Sequence, residues 1–464
     1  MIRFYNSLGR EVQDFKEIND GKVGIYTCGP TVYSYVTIGN WRTYTLSDFL
    51  VRTLEFLGYE VKHVMNITDV GHLTGDNEGD SSTGEDRMEK AERKEGKTAW
   101  EIAKFYAEDF INGMKQMNFN LPDVLPRATE HIEEQIEQVQ EIIDKGFTYE
   151  TSDGIYFDTK KFEDAGHKYG ELSNLDKIRE GARVAINPEK KNPRDFALWK
   201  FSPKDKKRHM EWDSPWGIGF PGWHIECSAM SMKYLGEQFD IHVGGEDLMS
   251  THHPCEIAQA EAAKDVKFVN YWIHGAFLQV DGGRMGKSLG NAYSLHDIEE
   301  QGFSPMHLRY FYMSGHYKKK LNFTWEALES SRSAYEKLIK ILSGLKSDDN
   351  IEQNELKENS FYKQFAEAIS SDINIPRALA TIWEVLKSDL KDELKLALIL
   401  KFDEVLGLEL RKEMNREDDL EMSDEVVNLI AERKKARDEK NWELADSIRD
   451  KLRDEFGVTD LQGK

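Results

Sequence analysis

Two strand–helix–strand units far apart in the chain, a compact segment between them, and a C-terminal half that reads as helix predict an α/β fold. The expected architecture is a split Rossmann-type doubly wound parallel sheet with an inserted small domain, followed by an all-helical C-terminal half. Residues 22–29 read as a strand ending in Gly29, and a helical stripe follows at Leu46, Phe49, Leu50, Leu54 and Leu57, stopped by Gly58. Residues 61–67 are the next strand. In such a unit ligands bind at the carboxyl ends of the strands, where Cys28 and Thr37 fall. The second unit is a strand at 239–243, a helix at 251–264 and a strand at 266–273. One sheet split by an insertion accounts for both.

Between the units, Ile132, Ile136, Val139 and Ile143 give helical periodicity over 131–143, and 154–157 reads as a strand. Residues 75–86 are polar and acidic with no core-forming side chain, so no fixed structure is assigned to them. After about His296 no further strand signal occurs, and polar breaks fall at 347–350 and 416–419. The chain closes with a helical hairpin, 424–439 and 442–456, in which Ala445, Ile448 and Leu452 share one face and Gly457 is the stop. The expected boundaries are 1–120 and 201–295 for the two halves of the sheet domain, 121–200 for the connective insertion, and 296–346, 347–420 and 421–464 for three helical regions.

A chain of 464 residues carries a prior of about three domains. No apolar run approaches the roughly 20 residues that span a bilayer, and the N-terminus lacks the apolar stretch of a signal peptide, so the expected location is the cytoplasm, with no membrane partner. Three cysteines, Cys28, Cys227 and Cys255, do not make a disulfide framework. A net charge of −22 excludes a non-specific nucleic-acid binder but leaves room for local basic patches. Two basic runs exist, at His316-Tyr317-Lys318-Lys319-Lys320 and Arg433-Lys434-Lys435-Ala436-Arg437, and either also fits a solvated face.

His252 and Glu256 stand four apart on a predicted helix and project from one face. With Cys28 and Cys227 they form a plausible Zn²⁺ donor set, because zinc accepts N, O and S ligands. Each thiol equally fits a packed small hydrophobe. His253 reads as a helix-terminus histidine and Cys255 as a packed free thiol. Thr37-Ile38-Gly39-Asn40 occupies a strand-to-helix turn, where backbone N–H groups meet phosphates, although Gly and Asn are also ordinary turn residues. The glycine-rich stretch from Gly282 to Asn291, with Arg284 and Lys287, suits a loop that closes over a polyphosphate, or a solvated turn.

Four segments are more specific: Tyr26-Thr27-Cys28-Gly29-Pro30-Thr31-Val32-Tyr33, Asn66-Ile67-Thr68-Asp69, Pro221-Gly222-Trp223-His224-Ile225-Glu226-Cys227-Ser228-Ala229-Met230, and His252-His253-Pro254-Cys255-Glu256-Ile257-Ala258. Through them nearly the whole chain resembles the cysteinyl-tRNA synthetases, a family of class I aminoacyl-tRNA synthetases. The resemblance implies an enzyme that activates L-cysteine with ATP and Mg²⁺ to cysteinyl-adenylate and transfers it to tRNA-Cys. It implies one Zn²⁺ per subunit, held by Cys28, Cys227, His252 and Glu256 and binding the substrate thiolate, and no separate editing domain. A monomer is expected.

By the same resemblance Gly29, Thr68 and Trp223 belong to the cysteine pocket, and Gly245 and Asp247, within Gly244-Gly245-Glu246-Asp247, lie beside the ATP ribose. Thr37 to Asn40 takes the place of the signature HIGH, with Thr37, Gly39 and Asn40 on ATP; Arg284 to Ser288 takes that of KMSKS, with Lys287 as its catalytic lysine. Thr37 and Asn40 replace both histidines of the first signature, and Arg284 and Gly286 replace a lysine and a serine of the second, so the phosphate site has less fixed charge and a looser loop. Residues 296–346 correspond to a region contacting the tRNA stem, and 421–464, with Arg433, Lys434, Lys435 and Arg437, to the anticodon-binding region. The alternatives are a cysteine ligase of mycothiol synthesis and a weakly catalytic paralogue that binds cysteine or tRNA.

Overall fold

The computed structural model describes residues 1–71, 87–173, 187–203, 208–286, 289–347, 351–419, 424–438 and 441–456. The acidic stretch 75–86, Lys287 and Gly457 lie outside these residues. Among the described residues no helix is long and apolar enough to cross a membrane.

Four parallel strands form the central sheet in the order Val269–Gly275, Phe239–Gly245, Lys22–Thr27, Glu60–Met65. The two sequence-distant units meet where Thr27 stands opposite Val243, so the sheet is split as expected. Its inner strands are buried on both faces, as Val23, Ile25, Tyr26, Ile241 and Val243 show, which is the requirement of a parallel sheet covered by helices on either side. Helix Ile38–Phe56 connects Lys22–Thr27 to Glu60–Met65, and helix His252–Lys264 connects Phe239–Gly245 to Val269–Gly275. These crossovers leave the two central strands in opposite directions. The crevice of a doubly wound sheet therefore opens between the ends of Lys22–Thr27 and Phe239–Gly245.

The insertion builds its own antiparallel sheet from Thr148–Thr151, Gly154–Phe157, Phe196–Phe201 and Gly219–Pro221. Its fourth strand lies beyond residue 200, immediately before helix Trp223–Leu235, so the insertion leads straight back into the site. Helix Ile132–Asp144 covers this sheet, and Val139, Phe157, Leu198 and Trp199 form a core with Ala258 and Ala262 of the His252 helix.

One expectation fails. The chain beyond His296 is not free of strands, because Leu321–Phe323 pairs in parallel with Leu278–Val280, which pairs in turn with Gly283–Arg284. A three-residue strand with one fully buried side chain, Phe323, is too short to show an alternating pattern.

The chain divides into two compact units. The first comprises Met1–Tyr335 and Lys346–Leu408, the second Glu336–Leu345 and Glu409–Lys464, so the division cuts through both the expected 296–346 and 347–420 regions. In the first unit, helices Ser360–Ser370 and Asp392–Leu406 meet through the stacked rings of Phe365 and Phe402, 4.1 Å apart. In the second, helices Asp424–Asp438 and Trp442–Phe456 form the expected hairpin over Val426, Ala436, Ala445, Ile448 and Leu452.

A buried charge cluster ties the first unit together. Arg309 is fully buried and donates to Leu406 O at 2.7 Å, Met117 O at 3.0 Å and Asp48 Oδ2 at 2.6 Å, while Arg52 donates to the same carboxylate oxygen at 2.9 Å. Truncating one member of a buried pair leaves the other charge uncompensated. Arg309→Ala is therefore expected to destabilise this unit by about 3 to 5 kcal/mol in urea unfolding. Arg309→Lys should recover only part of that loss, because an ammonium cannot reproduce the guanidinium's fork.

Candidate metal and nucleotide site

Cys28 lies one residue past the end of strand Lys22–Thr27, but its N–H still donates to Val243 O at 3.1 Å, so the sheet itself places the thiol. Gly29 turns the chain away under a tight constraint. Its N–H donates to Asn66 Oδ1 at 2.8 Å, and a Cβ there would sit 1.7 Å from Asn66 O. Cys227 comes from the second turn of helix Trp223–Leu235, whose start is pressed onto the insertion: a Cβ on Gly222 would meet Ala197 O at 2.1 Å. His252 and Glu256 occupy successive turns of helix His252–Lys264, as the spacing predicts.

These elements bring four buried donors together. Cys28, Cys227, His252 and Glu256 each offer a ligand atom within 4.8 Å of the others. The Cys28 and Cys227 sulfurs are 3.8 Å apart, Cys28 Sγ is 3.6 Å from Glu256 Oε1, and His252 Nε2 is 3.1 Å from the same oxygen. Burial opposes charge on Glu256, yet His242 and His252 hold its carboxyl down at about 2. Burial likewise opposes charge on His252, yet Glu256 and Cys227 raise it to about 10. Burial, reinforced by Cys227, pushes the Cys28 thiol well up, whereas hydrogen bonding from Cys28 together with His252 outweighs burial and lowers Cys227. Protons shared among the four donors hold the cluster together, and a metal ion bound there would displace them. Two sulfurs, an imidazole and a carboxylate at this separation fit zinc.

A second donor set shares two of these residues: Cys28, His242, His253 and Glu256. His253 is accordingly not a plain helix-terminus histidine. It is buried, with Nε2 3.4 Å from Cys28 Sγ and Nδ1 2.7 Å from His274 Nε2, which continues to Ser7 Oγ at 2.8 Å. Cys28, common to both sets, and His252, which belongs only to the first, line the central cleft, while His242 and His253 do not. His242 has a supporting role instead, holding Glu256 Oε2 at 2.9 Å, and His224 Nδ1 lies 2.8 Å from His252 Nδ1. Cys255 is a packed thiol, 3.4 Å from the Tyr169 hydroxyl.

The cleft has a volume of about 760 Å³. Cys28, Gly29, Trp223 and His252 line it together with Thr37, Gly39, Asn40, Gly245 and Asp247. Trp223 lies over His252, ring centroids 4.6 Å apart. Thr68 is outside this lining: it is buried, accepts from Asn66 Nδ2 at 3.0 Å and donates to Glu226 Oε2 at 2.9 Å. At the other end, Thr37 is the N-cap of helix Ile38–Phe56 but caps no N–H with its side chain, and its hydroxyl donates to Asn40 Oδ1 at 2.7 Å. Thr37, Gly39 and Asn40, at the start of that helix, line the cleft. Gly39 touches the second glycine-rich segment, since a Cβ there would lie 2.3 Å from Met285 Cε. Asn291 braces that segment, accepting from Gly286 N at 2.8 Å and donating to Arg284 O at 3.1 Å.

The histidine cluster and the Asn291 brace escape the sequence reading. The available signal was polarity inside buried strands, at His242 and His274, where the flanking residues are apolar.

The crevice of the split parallel sheet is lined by the Thr37–Asn40 helix start and by Cys28 and His252 of the donor cluster, and a family model described as the class I (C) tRNA synthetase catalytic domain matches residues 14–333, which makes the chain a class I aminoacyl-tRNA synthetase. The fold is shared with methionyl-tRNA synthetase of Mycobacterium tuberculosis in complex with methionyl-adenylate, at a TM-score of 0.56 and 12% identity over 88% of this chain and 94% of that one. Among curated proteins the chain is 42% identical to a cysteine–tRNA ligase of Treponema denticola, over 97% of this chain and 96% of that protein. It is 45% identical to cysteine–tRNA ligase 1 of Burkholderia lata, over 97% and 93%. The chain belongs to the cysteine–tRNA ligase family, and it is an ATP-dependent ligase. The mycothiol-ligase and paralogue alternatives gain no support from these relatives.

The glycine contacts separate two kinds of constraint. Gly29→Ala drives a Cβ into backbone that cannot yield and is expected to lower stability by about 3 kcal/mol and to weaken metal binding. Gly39→Ala meets only the flexible end of Met285 and should unfold within about 0.5 kcal/mol of the unmodified protein. Parallel thermal melts and metal titrations check the contrast.

Proposed function

We propose that this chain activates L-cysteine with Mg²⁺-bound ATP and transfers it to tRNA-Cys, and that Cys28, Cys227, His252 and Glu256 hold one zinc per subunit that selects the thiol. The observation that carries this reading is the opening of a four-donor cluster into the same cleft as the Thr37–Asn40 helix start. A zinc ion held there would supply a soft Lewis-acid site that prefers a thiolate to a hydroxyl, a distinction too small for a pocket to make by size. Gly29 and Trp223 shape the space over Cys28 and His252, and Thr68 supports that wall through Asn66 and Glu226. His242 keeps Glu256 oriented and ionised.

At the other end of the cleft, Gly39 and Asn40 present the helix start to the phosphates, Thr37 orients Asn40, and Gly245 and Asp247 face the nucleoside. The cysteine carboxylate attacks the α-phosphate in line and pyrophosphate leaves, so the protein's work is positioning and charge stabilisation. Lys287 is the residue assigned to the leaving pyrophosphate. A hydroxyl of the terminal adenosine of tRNA-Cys then displaces AMP from the adenylate. Arg433, Lys434, Lys435 and Arg437 are assigned to backbone phosphates near the anticodon, positioning the tRNA without reading its bases.

Cysteine-dependent exchange of pyrophosphate into ATP should be readily measured and should fall by about a hundredfold or more in Lys287→Ala. No exchange by the zinc-loaded protein above that variant would sink the ligase reading. Cys227→Ser is expected to cut bound zinc from about one equivalent to below about 0.2 and to erode the preference for cysteine over serine. Elemental analysis and exchange with each amino acid read the two effects separately.

A further inference from the structure

Among the described residues that line the cleft, fixed positive charge comes from Arg284 and Lys320 and fixed negative charge from Asp247. Thr37 and Asn40, at the helix start, carry none. A nucleoside triphosphate brings about four negative charges, and neutralising charge that builds on a leaving polyphosphate is the main electrostatic task of such a site.

Lys320 belongs to the run His316-Tyr317-Lys318-Lys319-Lys320, which by sequence alone fits a solvated face. The structure separates its members. The Lys318 ammonium pairs with Asp372 and lies 4.2 Å from the centre of the Tyr5 ring. Lys320 lines the cleft with an exposed side chain, and no carboxylate among the described residues pairs with it.

Its backbone is fixed from both sides. Arg42, on the same helix as Asn40 and two residues further on, donates to Lys319 O at 2.6 Å and His316 O at 3.3 Å, and to Ala276 O and Phe277 O at 2.7 and 3.0 Å. Leu321, directly after Lys320, enters the strand paired with Leu278, which leads into the Arg284 hairpin. A single buried guanidinium thus locks the Lys320 turn to the helix whose start meets the phosphates.

We propose that Lys320 is a phosphate-contacting residue of the activation step, supplying to the ATP polyphosphate the positive charge that Thr37 and Asn40 do not. The assignment rests on the ATP site described above. The phosphates of the tRNA acceptor end are the competing ligand; the strand that follows Lys320 pairs with Leu278–Val280, which runs into the Arg284 hairpin of the same cleft.

The test compares full-length unmodified protein with Lys320→Ala, Lys320→Gln and Lys320→Arg. In pyrophosphate exchange without tRNA, the Ala and Gln variants are expected to lose about tenfold or more in kcat/KM for ATP, with KM for cysteine unchanged, and the Arg variant to regain most of it. Direct calorimetric binding should show weaker ATP affinity in Lys320→Ala and unaltered adenosine affinity, which a merely structural role would not produce. Exchange within twofold of the unmodified protein, or equal losses for ATP and adenosine, overturns the proposal. So does normal exchange with a defect confined to transfer onto tRNA, which assigns Lys320 to the nucleic acid. No exchange by the unmodified protein would remove the ATP reading itself, and this proposal with it.

Discussion

A carboxylate with no access to water has to be matched by positive charge, and the centre of this protein is organised around one. Glu256 is fully buried, and His242 and His252 stand on its two oxygens at 2.9 and 3.1 Å. Desolvation alone would neutralise it, so the surrounding imidazoles have to be placed within hydrogen-bonding distance. That need explains why distant segments converge here. The end of one sheet strand delivers Cys28, its neighbour delivers His242, and two helices that follow the insertion deliver Cys227 and His252.

The crevice then determines which donors matter. Two overlapping donor sets are present; Cys28, common to both, lies on the cleft wall, and of the residues that differ between them only His252, of the first set, does. A metal that must meet substrate needs an open position, whereas donors that merely orient the first ligands do not. Because the two central strands send their crossovers in opposite directions, Cys28 and His252 of the donor cluster and the Thr37–Asn40 helix start line one crevice. Arg42 and Asn291, neither of which touches the donors, keep the glycine-rich hairpin and the lysine turn aligned with it.

Much of this was legible in the sequence. The split sheet followed from two apolar strand pairs, and the four-donor set from a four-residue helical spacing plus long, unusual motifs. What stayed hidden has a common physical cause. His253 and His274 acquire their roles from packing between elements, and a histidine read in isolation cannot show what faces it. Strand Leu321–Phe323 draws its stability from pairing with Leu278–Val280 rather than from its own pattern. Lys320 and Lys318 are equivalent letters in a basic run, separated only when Asp372 takes one of them.

The central claim is that the buried cluster holds a zinc whose remaining position is taken by the substrate's sulfur. X-ray absorption at the zinc edge of the purified protein, with and without substrate, tests it most directly. The account predicts two sulfur neighbours in the resting protein, three on addition of cysteine, and still two on addition of serine. A sulfur count that does not change with cysteine would contradict it.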